Sequence, residues 1–90
     1  MKQNPHLRLR RIGNRNIIVD ARDNINLVDV FSLNATAASL WRYMEEGVRS
    51  VEGLALRLCH DYDVEMNVAL RDVKRQLDEW IAAGLVEPTV

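Results

Sequence analysis

Leu7-Arg8-Leu9-Arg10 alternates apolar and charged positions, the period-two pattern of a half-buried strand with its arginines in water. Ile12 extends the pattern. Gly13-Asn14 is a turn signal, since both residues tolerate positive φ, and Asn16–Asp20 (NIIVD) is a second short apolar strand. The two predict a hairpin. Residues 1–6 read as a frayed end, with Pro5 interrupting regular pairing. Residues 21–26 (ARDNIN) are polar apart from Ile25 and read as a loop. A third strand follows over Leu27–Ser32. In the run Leu27–Leu33 the only polar residues are Asp29 and Ser32.

The period then changes. From Ala35 the apolar set falls at Ala37, Leu40, Trp41 and Met44, the i, i+3, i+4, i+7 spacing of a helix face. Asn34 stands at the joint, where its side-chain oxygen can accept from free N–H groups of the first turn. The first helix is predicted over Ala35–Glu46, stopped by Gly47. Ser50 caps a second helix that keeps Val51, Leu54, Ala55, Leu58 and Tyr62 on one side. Gly53 weakens that helix by about 1 kcal/mol relative to Ala, which suggests close packing there. Asp61-Tyr62-Asp63-Val64 breaks the pattern. A third helix over Met66–Ala83 carries the stripe Met66, Leu70, Val73, Leu77, Trp80 and Ile81. Gly84 ends it, and Leu85-Val86-Glu87 leaves as an extended tail.

These elements predict an α+β domain, β-β-β-α-α-α. A three-stranded antiparallel sheet precedes three helices in a winged helix-turn-helix-like arrangement. Leu33, Leu40, Trp41, Leu54, Leu58, Leu70, Val73, Leu77 and Ile81 are expected in one core. Ninety residues make one domain over 1–90, with the strands in 7–33 and the three-helix part in 34–87. No run of 18 apolar residues exists, so no membrane span is expected. The N-terminus lacks the apolar segment of a signal peptide, and a single cysteine, Cys59, fits a cytoplasmic location. The net charge of −1 hides an asymmetry. Residues 1–22 carry six Lys/Arg against one acid, +5, and residues 23–90 carry six against twelve, −6.

Candidate chemistry is sparse. Cys59, His60, Asp61 and Asp63 match no zinc spacing and fall where a helix ends. A nucleophilic Cys59 would need a positioned base, and adjacent His60 points elsewhere on a helix. No phosphate loop, carboxylate pair or triad is present, so neither catalysis, cofactor nor metal is expected. A winged-helix DNA-binding regulator is one alternative. It is disfavoured because helix three balances Arg71, Lys74 and Arg75 against Asp72, Asp78 and Glu79. A structural docking subunit of an enzyme complex is another.

The runs SLNATAASLWRYMEEG and RSVEGLALRLCHDYDVEMNVALRDVKRQLDEWIAAGLVE resemble the PqqD-like family, the peptide-recognition elements of ribosomally made, modified peptides. Leu33-Asn34 matches the family's strand–helix joint. Ala37-Ala38 and Leu40-Trp41 match its small pair and Ile/Leu-Trp. Gly47, Ser50 and Tyr62-Asp63-Val64 match its helix ends, and Asp72-Val73, Leu77 and Gly84-Leu85 match helix three and its exit. The resemblance covers roughly Leu27–Glu87. Residues 21–30 lack the proline-containing stretch usual in members that make pyrroloquinoline quinone (PQQ), so PQQ and other modified-peptide pathways both stay open.

The resemblance implies a non-catalytic adaptor. Such domains bind the leader of a precursor peptide and present it to a modifying enzyme, often a radical S-adenosylmethionine enzyme. The leader adds as a strand to the third strand, beside helix three. That places Val28, Asp29, Val30, Phe31 and Ser32 at the peptide, with Arg71, Lys74, Arg75 and Asp78 off the buried stripe as the groove wall. The three cations would suit an acidic leader. The plainer readings are core strand residues, a solvated helix face, and Trp41 and Trp80 as core anchors. An open strand edge could equally pair two copies as a homodimer.

Overall fold

The computed structural model describes residues 2–20 and 31–88. It is an α+β domain with three helices and small antiparallel sheets. Strands β1 (Lys2–Gln3), β2 (Leu7–Ile12), β3 (Arg15–Asp20) and β4 (Phe31–Leu33) are followed by α1 (Ala35–Glu45), α2 (Val51–Tyr62), α3 (Met66–Ala82) and β5 (Val86–Glu87). The order β2-β3-β4 makes one antiparallel sheet, with Leu9 opposite Ile18 and Ile17 opposite Ser32. β1 pairs separately with β5. Of the third strand expected from the sequence, residues 27–30 lie outside the described residues.

Each helix boundary has a local cause. Asn34 Oδ1 accepts from the Ala37 N–H at 2.8 Å, and Ser50 Oγ accepts from the Gly53 N–H at 3.0 Å. Each such cap is worth about 1 kcal/mol over alanine. The close packing expected at Gly53 is present. A Cβ there would meet Ser50 Oγ at 2.9 Å and Val48 Cγ1 at 3.0 Å. α2 stops where Asp63 takes the left-handed conformation, φ 53°. α3 stops at Gly84, φ 80°, where Leu85 N–H bonds back to the Trp80 carbonyl at 2.8 Å. That six-residue closure is the Schellman motif, and it turns the chain sharply off the helix.

This turn explains why residues 2–6 are ordered, where the sequence predicted a frayed end. It delivers Leu85 and Val86, 3% and 2% exposed, into the core with their backbone extended. An extended buried segment needs hydrogen-bond partners. β1 supplies them, with Gln3 opposite Val86, and the Asn4 N–H bonds the Leu85 carbonyl at 3.0 Å. Gln3 Nε2 also donates to the Trp41 carbonyl at 3.0 Å. Pro5 lies just past the paired residues and disturbs nothing.

The core joins Leu7 and Ile18 of the sheet to Leu40, Trp41 and Met44 of α1, Leu54 and Leu58 of α2, and Val73, Leu77 and Trp80 of α3. Trp41 and Trp80 meet edge to face, with centroids 5.4 Å apart and planes at 86°. Both tryptophans are core anchors. The buried line of α3 is Ala69, Val73, Leu77 and Trp80. Met66, Leu70 and Ile81 are half-buried at its rim, as is Leu33 at the edge of the sheet. The expected stripe was therefore rotated toward its bulky residues and away from Ala69. Tyr62 is another correction. It is 38% exposed, and its hydroxyl lies 2.6 Å from Ser39 Oγ, so it ties α2 to α1 at the surface. Tyr43, which the sequence pattern did not single out, is buried instead.

Candidate peptide-binding trough

β4 ends at Leu33, Asn34 caps α1, and α3 lies across from this joint. Between them runs a concavity of about 340 Å³ lined by Leu33, Asn34, Ala37, Gln76, Glu79, Trp80, Ala83 and Leu85. A smaller hollow of about 80 Å³ shares Asn34, Ala37 and Gln76 and continues past Leu40, Tyr62, Val64, Asp72 and Arg75. Together they form one trough along α3. Trp80, Leu85 and Ala37 are buried and make an apolar floor; Asn34, Glu79 and Ala83 are exposed at the rim. β4 is the last strand of its sheet among the described residues. The outer side of such a strand presents alternate free N–H and C=O groups.

The helix wall differs from the one expected. At about 100° per residue, Asp72, Gln76, Glu79 and Ala83 share one side of α3. Arg71, Lys74 and Asp78 are exposed on the far side of the helix, and none of them lines the trough. Arg75 alone of the four does, and its guanidinium lies 3.7 Å from Asp72. The three cations are thus not assembled over the trough. The α3 residues that line it beside Arg75 include Asp72, Gln76 and Glu79. Of the strand candidates, Val28, Asp29 and Val30 lie outside the described residues. Phe31 and Ser32 are on β4, opposite Ile18 and Ile17.

A second polar cluster sits on the α1–α2 face. The Tyr43 hydroxyl donates to Asp61, His60 Nδ1 lies 2.9 Å from the other Asp61 oxygen, and the Arg57 guanidinium stacks 4.4 Å from the Tyr43 ring centre. Burial first, then the bond to Asp61, pushes the Tyr43 hydroxyl up to about 12. The His60 contact, then the Tyr43 bond, holds the Asp61 carboxyl below its ordinary value. A depressed carboxylate stabilises the fold above its unfolded pKa, and that contribution is lost as pH falls through the folded value. The denaturant midpoint of the wild type should therefore drop as pH falls below about 4, the ordinary Asp value. Asp61→Asn should flatten that drop, since its amide oxygen still accepts from Tyr43. Equal pH slopes in the two proteins would remove Asp61 from the account. Cys59 contacts Met66, sulfur to sulfur at 3.8 Å, and no group of three or more potential metal ligands occurs among the described residues.

The sequence profile of the family described as coenzyme PQQ synthesis protein D (PqqD) matches residues 17–86. The chain belongs to the PqqD family. The match runs from β3 through all three helices into β5, so it takes in the trough and everything that frames it. No curated protein matches the chain. Among solved structures, TbiB1 in complex with the TbiA(beta) leader peptide is similar, with a TM-score of 0.80 and 22% identity. The alignment covers 100% of this chain and 99% of that one, so the PqqD-family chain shares that whole fold. The extra β1–β5 pairing lies within the aligned length.

Proposed function

We propose that this PqqD-family chain is a non-catalytic adaptor. It holds the leader segment of a ribosomally made precursor peptide and presents it to a modifying enzyme in a PQQ-like or other modified-peptide pathway. The observation that carries this reading is the trough beside the edge strand. An incoming extended segment would complete the sheet by main-chain hydrogen bonds and lay alternate side chains between β4 and α3. Family membership and the likeness to a leader-peptide complex support it. The edge is assigned to Val28, Asp29, Val30, Phe31 and Ser32, and the helix wall to Asp72, Arg75, Gln76 and Glu79. Within this reading residues 1–90 act as one winged helix-turn-helix-like unit, the β2–β3 hairpin being the wing. The partner enzyme is of the radical S-adenosylmethionine class that the family resemblance suggests.

Calorimetric titration tests the reading, with the leader segment of a ribosomally made precursor peptide and a DNA duplex as the two ligands. Saturable binding of the leader, and no salt-steep binding of the duplex, is the expected result. Binding to duplex whose affinity falls steeply with salt, with none to the leader, would instead make the chain a nucleic-acid-binding winged helix.

A further inference from the structure

The charge and shape of the trough specify the side chains it takes, an inference that rests on the peptide-adaptor reading above. Asp72 is matched by Arg75 at 3.7 Å. Among the described residues Glu79 has only a long contact to Gln76 Nε2, at 3.4 Å, and it stands at the rim beside the apolar floor of Trp80 and Leu85. Among the described residues, the trough therefore carries one carboxylate without a cationic partner, next to a cavity of about 340 Å³.

Glu79 is also badly placed for the helix itself. It opens the last turn of α3, which has no basic residue in that turn. Helix C-termini carry partial negative charge, so a carboxylate there is unfavourable and a cation nearby is favoured. Glu79 and the end of the helix thus add to the same negative potential over the trough. Glutamine at this position would leave the helix as stable or slightly more so.

We infer that the trough selects a peptide strand carrying a large apolar side chain and, two residues away, a lysine or arginine. Side chains two apart on a strand point the same way and stand roughly 6.6 Å apart. The apolar one lies on Trp80 and Leu85, and the cation reaches Glu79 at the rim. This is the opposite charge preference from an acidic leader recognised by Arg71, Lys74 and Arg75.

The test is selection of random twelve-residue peptides displayed on phage against the folded wild type, Glu79→Gln, Glu79→Lys and Ala83→Trp. Wild type should enrich Lys or Arg two positions from a large apolar residue. Glu79→Gln should keep the apolar preference and lose the cation. Glu79→Lys should exchange the cation for Asp or Glu. A synthetic peptide from the wild-type selection should bind Glu79→Gln about five- to tenfold more weakly, with the difference shrinking at high salt. Ala83→Trp fills the trough and should select none of these peptides. Wild-type peptides that are acidic or uncharged, yet still lost on Ala83→Trp, would overturn the inference and leave the adaptor reading standing. Peptides that bind Ala83→Trp as well as wild type would overturn both.

Discussion

Trp41→Ala is expected to remove a large part of the stability of this domain. Trp41 is 1% exposed at the centre of the core, with its ring edge to face on Trp80 and its carbonyl bonded by the Gln3 side chain. Truncating a buried tryptophan costs about 3–5 kcal/mol, because the lost contacts and the cavity add. A domain of this size has a total stability of roughly 5–13 kcal/mol. The denaturant midpoint should fall steeply, and a weakened form should lose the near-ultraviolet signal of the tryptophan pair. Trp41→Phe separates packing from polarity. The Trp41 indole N–H has no hydrogen-bond partner among the described residues. Phenylalanine thus forfeits ring area and no hydrogen bond, and should cost clearly less than alanine. A Trp41→Ala midpoint equal to that of wild type would mean that the core is not built around this pair.

The other large effect is on binding. Ala83 is exposed at the end of α3, at φ −84° and ψ −5°, and lines the trough. Tryptophan there fits the backbone and displaces nothing in the core, so the fold should survive with an unchanged midpoint. Its ring would occupy the space above Trp80 and Leu85. Peptide affinity should fall at least about tenfold, a loss of about 1.4 kcal/mol. Calorimetry on wild type and Ala83→Trp checks this. Full affinity in a folded Ala83→Trp protein would move the peptide to another surface.

The helices, their caps and the hairpin were legible because each has a local signal. Asn34, Ser50, Gly47 and Gly84 mark ends by chemistry that acts within one turn. The β1–β5 pair was not legible, because two-residue strands carry no period and their pairing joins opposite ends of the chain. Its cause, two buried apolar residues after Gly84, becomes visible only once the Schellman turn has aimed them inward. The trough wall was half legible. Periodicity shows which face of α3 is buried, but both flanks of that face are polar. Arg71, Lys74 and Asp78 lie on one flank; Asp72, Gln76 and Glu79 lie on the other. Which flank meets β4 depends on how α3 is placed against the sheet, and no residue of α3 alone encodes that. The plain alanines Ala69 and Ala83 were the missed signals, since small residues mark where backbones or a ligand come close.

Strand addition is the central claim, and main-chain methylation tests it most directly. A trough-binding peptide is synthesised with one backbone amide N-methylated at a time, and each is titrated into the wild-type protein. In a paired strand alternate N–H groups point to the neighbouring strand and the rest point away. Methylation removes the donor and obstructs the approach. Affinity should therefore fall about tenfold or more at every second position and change little at those between. Losses that follow side-chain size with no alternation, or no losses at all, would contradict binding at the β4 edge.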